Sequence, residues 1–438
     1  QEMPPLPERV VTTSGETLIG DGAILAGQNV WQSLGGMEVG SIWGHGSYVA
    51  PDWTADWLHR ESMFILNDWS REESGAAYEA RPAEEQARLR ERLKGLMRSN
   101  RYDAATDTLI VEPVRARAIA DTAAHFTDVF AKGRKEYAIP AGTQTDPVKS
   151  RQLTAFFFWS AWAAATDRPG DHVSYTSNWP HEPLVDNRPT GEAVVWTGVS
   201  VLFLLFGIGV MAFWHATQTP DEPLKNIPAD DPLLGSRAFP SQLAVRKYFW
   251  TVAGLILLQI GVGIVTAHYG VEGDGFFGIK LADVLPYTVA RTWHLQLGIF
   301  WIATTWLAAG LYIAPAVGGK EPAWQRFGVN LLYGALLVVV LGSMAGQWLS
   351  VKQVLGTGDL WFYFGHSGYE YIDLGRAWQI ALLIGLFLWL GLMVRALLPA
   401  LQRKDEQRTI LTLFTISAFA IASFYGAAFG AGRHTHLA

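Results

Sequence analysis

Several ionisable residues stand at the edges of apolar runs, where leaving them in lipid would be costly, and each has a chemistry to match. His294 opens such a run within Arg291-Thr292-Trp293-His294-Leu295-Gln296-Leu297. Ionisable groups at membrane depth usually face a site rather than lipid. A neutral imidazole is the commonest ligand of b-type haem iron, although the position equally suits an interfacial histidine that caps a helix. Arg291, just ahead of it, has the charge to pair with a haem propionate. His268 and Glu272 are spaced i, i+4 and would share one helical face. In an apolar setting both can exchange a proton near neutrality. That is what hydrogen-bonding and deprotonating a quinol requires; a solvated loop pair is the alternative. Glu370 and Asp373 precede another apolar run. They offer hard oxygen donors for Ca²⁺ or a proton relay, or else serve as favourable charges at a helix start. The stretch Gly44–Glu61 mixes glycines with Tyr48, Trp53 and Trp57. It suits docking onto a cofactor edge or a membrane domain, or an ordinary buried turn. His434 and His436 do not share a helical face and read as an interfacial tail.

Positioning these groups falls to a chain of 438 residues that is half hydrophobic, only 17% charged and rich in Trp and Phe. Such a composition belongs to a protein with much of its surface in lipid. The absence of cysteine excludes disulfide frameworks, thiolate nucleophiles, iron–sulfur clusters and covalently attached c-type haem. A net charge of −6 without a basic cluster gives no footprint for nucleic acid.

Residues 1–192 are polar, and 193–438 contain six uncharged runs: 193–214, 248–267, 292–319, 327–351, 377–394 and 409–432. Each approaches the ~17–25 residues a helix needs to cross a bilayer. Backbone groups in lipid must be satisfied within the segment, so these predict helices. The fold class is therefore mainly α: a polytopic membrane helix bundle behind one extramembrane domain. With that domain outside, loops 215–247, 320–326 and 395–408 carry ten basic residues, against five in the outer loops and tail. This is a positive-inside asymmetry. Within the outer domain, 83–97, 114–134 and 151–165 read as helices, and the Pro-rich opening and 167–192 read as linkers.

Three stretches are specific enough to carry a resemblance: GGMEVGSIWGHGSYVAPDWTADWLHRE (35–61), ARTWHLQLGIFWIATTWLAAGLYIAP (290–315) and WFYFGHSGYEYIDLGRAWQ (361–379). The chain resembles the quinol-dependent nitric oxide reductases of the haem-copper oxidase superfamily. The resemblance implies a bundle of the haem-copper oxidase type and an N-terminal cytochrome c-like domain that lacks haem c. It also implies reduction of two NO to N₂O and water with quinol as donor, in the electron transport of denitrification. The implied cofactors are a low-spin haem b, a high-spin haem b3, a non-haem iron and calcium. By the same resemblance, His294 is an axial ligand of the low-spin haem. His268 and Glu272 contact quinol, and Gly46, Tyr312 and Glu370 hold calcium, with Asp373 nearby. The implied partners are quinol and quinone, nitric oxide, the lipid bilayer and a second copy in a homodimer. The implied location is the bacterial inner (cytoplasmic) membrane, with the N-terminal domain periplasmic.

The sequence departs from the family in one large respect. A His-x-x-x-Glu within a membrane helix, a following His-His pair and two later histidines, which the family uses for its iron and haems, are absent from 1–438, as is the family's first membrane helix. The chain thus reads as the front portion of such an enzyme, with no catalytic residue assigned. The alternative is a non-catalytic quinol-binding, haem b electron-transfer module. A transporter would need its polar groups at mid-membrane, whereas these gather at the outer edge.

Overall fold

A computed structural model of the chain describes residues 3–44, 49–217, 237–366, 374–404 and 407–431. The extramembrane part is built from β1 (Arg9–Thr12), β2 (Thr17–Ile19), α1 (Ala23–Ser33), α2 (Trp53–Ser74), α3 (Ala83–Arg98), β3 (Tyr102–Asp103), β4 (Thr108–Val111), α4 (Pro113–Lys132) and α5 (Pro147–Ala165). Aspartates begin two of its helices: Asp52 accepts from the Ala55 amide, and Asp146 accepts from those of Val148 and Lys149. These side chains satisfy amides that the first helical turn leaves unpaired. α5 is apolar on nearly every side and runs through the middle of the domain, as a helix without a polar face must.

Around α5 the interior is almost entirely aromatic. Trp31, Trp53, Trp57, Phe126, Phe130, Phe156, Phe157, Phe158 and Trp162 are fully buried. Trp57 stacks on Phe126 with ring centroids 5.5 Å apart, and Trp53 on Phe157 at 5.7 Å. A buried ion pair crosses this core. Arg115 donates to Glu61 at 2.7 Å, and Trp57 Nε1 donates to the other carboxylate oxygen at 2.9 Å.

Two readings of this domain change. A four-stranded sheet in the order β2-β1-β4-β3 lies on its edge, with β1 parallel to β4. Strands of two to four residues are too short for an alternation of apolar and polar residues to register. The supposed linkers are also packed segments. Pro5 supplies the carbonyl that Trp159 Nε1 bonds at 2.8 Å, and the opening then enters the sheet as β1. In 167–192, the buried Asn187 amide donates to the carbonyls of Ala164 and Pro180. The Asn187 side chain thus satisfies buried backbone carbonyls of this segment and of the helix before it.

The membrane part consists of α6 (Gly191–Thr217), α7 (Pro240–Glu272), α8 (Tyr287–Gly318), α9 (Gln325–Val351), the short α10 (Asp359–Phe364), α11 (Arg376–Leu401) and α12 (Gln407–Ala431). Among the described residues, six helices are long and apolar enough to cross a membrane. They overrun the uncharged stretches, because charged residues near their ends find polar partners. Lys247 bonds Asn330, and Arg395 bonds Gln325 at 2.8 Å. α7, α8, α9 and α11 form the packed bundle, α12 leans on α11, and the apolar window of α6 is wholly exposed. Close approach depends on glycine: a Cβ at Gly318 would lie 2.0 Å from the Ala396 carbonyl oxygen, and one at Gly346 1.8 Å from that of Phe364. Small residues perform this service between membrane helices, where no hydrophobic force draws helices together.

The extramembrane domain sits on the ends of α8 and α9. Ser350 donates to the Ser33 carbonyl at 3.0 Å, Gln353 donates to the Ser33 hydroxyl at 3.0 Å, and Lys149 donates to Gln353 at 3.2 Å. The end of α7, the start of α8 and the end of α9 therefore share the side of the bundle that carries the domain.

Candidate functional site

α7 ends on that side with His268 and Glu272 facing each other, Nε2 to carboxylate oxygen at 3.1 Å. Gly273, at φ +78°, stops the helix, and the chain folds back over the pair. The Phe277 amide points at His268 Nε2 at 3.3 Å, and the Gly278 amide donates to Glu272 at 3.2 Å. A single ring nitrogen thus faces both a donor and an acceptor. As a neutral imidazole with a lone pair on Nε2 it can accept from Phe277; once protonated there it donates to Glu272. This is a geometry suited to taking up a proton.

Aromatic rings wall the pair. Phe277 stacks on His268 at 4.5 Å, and Phe276 meets it edge-on at 4.9 Å. Phe277 is 74% exposed, and its neighbours Val271 and Ile279 are also largely exposed. The pair therefore borders an apolar fringe on the bundle's rim. From the other side the extramembrane domain closes on the loop: the Lys135 main chain packs against Gly273, and Lys135 Nζ lies 3.8 Å from Asp274.

His294 lies about two turns into α8, half-buried against α7. Its Nδ1 is 3.0 Å from the Gln259 carbonyl oxygen. A carbonyl only accepts, so Nδ1 carries the proton and the lone pair is left on Nε2, the form in which an imidazole binds a metal. The donor set on this residue therefore fits a haem iron. Opposite the ring is Gly263, five residues before His268 on α7. The imidazole thus sits roughly 7–8 Å deeper than His268 along the bundle. Nearer the surface, Arg291 Nε approaches the Glu38 carboxylate at 3.9 Å. Glu38 is 1% exposed, and burial raises its pKa to about 8 despite the attraction of Arg291.

Of the calcium set, Tyr312 alone lies among the described residues. Gly46, Glu370 and Asp373 lie outside the described residues. Tyr312 is 18 residues beyond His294 on α8, which is about 27 Å along the axis. Its carbonyl accepts from Gln242 near the start of α7, and it is 44% exposed. It stands at the bundle's far end, whereas Gly44 and Val49, which flank Gly46, belong to the extramembrane domain. Tyr312 therefore leaves that set: a matching residue type within an apolar helix concealed a position one membrane thickness away. Among the described residues, no three His, Asp or Glu side chains converge as a metal site. His434 and His436 also lie outside the described residues.

Other polar features gather on the domain side. A cavity of about 380 Å³ separates Ala138–Thr143 from Asp283, Pro286, Thr288 and Gln353. His366 is 1% exposed, and burial lowers its pKa to about 4. Reading the sequence missed Phe276, Phe277, Gln259 and Gly263. The run Gly273-Asp274-Gly275-Phe276-Phe277-Gly278 was a signal for the first two, since paired aromatics between glycines mark a tight reversal. For Gln259 and Gly263 no local signal exists, because their partner is on another helix.

Residues 7–181 match the family of cytochrome c-like domains of nitric oxide reductase. Residues 243–438 match cytochrome c and quinol oxidase polypeptide I. Residues 182–242, which include α6, lie between the two matches.

Proposed function

Because the chain belongs to the nitric oxide reductases of the haem-copper oxidase superfamily, we propose that it serves the reduction of nitric oxide to nitrous oxide with electrons drawn from a quinol. The overall balance is 2 NO + quinol → N₂O + H₂O + quinone. The observation that carries the quinol half is the His268–Glu272 pair at 3.1 Å, roofed by Phe276 and Phe277 and bordered by exposed apolar side chains. A lipid-soluble donor reaches such a rim through the bilayer.

Oxidising a quinol releases two electrons and two protons. His268 Nε2 and the Glu272 carboxylate are acceptors for those protons, and the flat ring can lie against Phe277. The domain-side position of the pair supports proton release on the face that carries the extramembrane domain, and the charge asymmetry of the loops supports reading that face as the outer one, the periplasmic side if the membrane is a bacterial inner membrane. His294 would hold a low-spin haem b through Nε2, with Arg291 near its propionates. A haem there supplies one-electron chemistry, which divides a quinol's electron pair for delivery to the NO-reducing centre. The high-spin haem b3 and non-haem iron of that centre have no ligand assigned within 1–438. Calcium, as part of the same reading, falls to Gly46 and Glu370.

The test is quinol-driven NO consumption by the purified, haem-loaded protein. Glu272→Ala slows it while sparing turnover from artificial electron donors. Equal loss with both donors would remove the pair as the quinol site. Full haem content without NO turnover would leave only the non-catalytic electron-transfer module.

A further inference from the structure

We propose that Gln259 and Gly263 of α7 are positioning residues for His294, a carbonyl socket and a glycine notch that together fix the tautomer and plane of a haem-ligating imidazole. This rests on the haem reading of His294 given above.

The notch is specific to one glycine. A Cβ built on Gly263 would fall 2.6 Å from His294 Cε1 and 2.7 Å from Nδ1, far inside the closest approach that carbon atoms tolerate. The glycines on either side of it in α7, Gly254, Gly261 and Gly270, face open space. The Nδ1–Cε1 edge of the imidazole therefore lies against the α7 backbone at a single place, and only a residue without a side chain permits it.

The socket is the Gln259 carbonyl. In a regular helix it already faces the amide of residue i+4, which is Gly263 itself. His294 Nδ1 adds a second donor at 3.0 Å, so notch and socket meet at one helical hydrogen bond. The Gln259 side chain then locks the two helices. Its Oε1 accepts from Trp301 Nε1 at 2.7 Å, and its Nε2 lies 2.7 Å from where a Cβ on Gly298 would stand. His294, Gly298 and Trp301 follow one another at i, i+4 and i+7, so they are a single face of α8 read by one residue of α7.

The consequence is electronic as well as steric. An imidazole that donates Nδ1–H to a carbonyl is a stronger electron donor through Nε2. Such a ligand favours ferric iron and lowers the midpoint potential. Tilting the ring or breaking that hydrogen bond raises it.

The experiment compares full-length haem-loaded protein carrying Gly263→Ala, Gly261→Ala or Gln259→Leu with the parent. The readouts are haem per chain, the reduced α-band, the low-spin EPR g-values and the titrated midpoint. Gly263→Ala is expected to shift the g-values and raise the midpoint, or to lose the low-spin signal. Gly261→Ala, which adds the same methyl to open space, should match the parent. Gln259→Leu keeps the carbonyl and loses the lock, and should broaden or shift the g-values to a smaller degree. A Gly263→Ala protein with parental g-values and midpoint overturns the proposal. If that variant does not accumulate, parental g-values in Gln259→Leu overturn it instead. Loss of the low-spin signal in His294→Ala, measured alongside, keeps the two questions apart. If the signal persists there, the haem reading itself has failed.

Discussion

Gly273→Ala tests whether the extramembrane domain shapes the His268–Glu272 site. Gly273 adopts φ +78° and ψ −66°, a conformation that L-residues rarely enter, and a Cβ there would lie 2.4 Å from Lys135 Cγ and 2.5 Å from the Lys135 carbonyl oxygen. Neither obstacle yields easily, since one is main chain and the backbone angles are themselves unfavourable. A residue forced into such a region costs about 1–3 kcal/mol. Much of that strain can be relieved by rotating the end of α7, which pulls Glu272 from the Gly278 amide and from His268. If the native arrangement is required at the quinol step, the same energy appears as a loss of roughly 5- to 140-fold in kcat/KM for quinol. Turnover from an artificial donor should stay at the parental value. Lys135→Ala is the control: it removes an exposed ion pair worth about 0–1 kcal/mol but leaves the obstructing carbonyl, so its effect should be under about fivefold. A Gly273→Ala enzyme with parental kcat/KM for quinol would refute the coupling between domain and site.

Four further outcomes follow from the geometry. His294→Ala should remove the low-spin haem spectrum, and retention of that spectrum would exclude His294 as its ligand. Arg115→Met strands the fully buried Glu61 and should cost about 3–5 kcal/mol in a denaturant titration, most of it recovered in the Glu61→Gln/Arg115→Met double variant; a loss under about 1 kcal/mol would contradict the pairing. Glu38→Gln should stabilise the protein in a pH-dependent manner. Folded Glu38 keeps its proton up to about pH 8, whereas a free glutamate releases it near 4.5, so between those values the native state holds the extra proton and stability falls as pH rises. The variant's gain in melting temperature should be near zero at pH 4.5, grow toward pH 8 and then level off, and a gain independent of pH would exclude the buried carboxyl as its source. Finally, Phe277→Ala should raise KM for quinol more than it lowers kcat, by a factor set by one aromatic contact of about 0.5–1.5 kcal/mol; unchanged KM would remove the ring from the site.

Much of this architecture was legible from one dimension. Apolar runs of some twenty residues admit little but helices, and His268 and Glu272 share a face on spacing alone. What stayed hidden depended on residues distant in sequence. β1 pairs in parallel with β4 across three intervening helices. α2 carries Trp, His, Arg and Glu in a pattern whose buried face is mixed, because Glu61 is paired inside the core. Gly263 looks like any membrane glycine until His294 is laid against it. Tyr312 shows the converse failure: residue type in an apolar helix says nothing of depth.

The contacts that seat the extramembrane domain on the bundle are of mixed kind: hydrogen bonds around Ser33, Ser350 and Gln353, Arg291 beside the buried Glu38, Ala138 and Val49 against the bundle's apolar core, and an exposed lysine–aspartate pair. The domain and its platform are also joined covalently through residues 166–190 and α6, so docking is an intramolecular event and the seam need not supply the affinity that separate chains would need. The tether thus adds to the seam in keeping Lys135 over the loop that closes the His268–Glu272 pair.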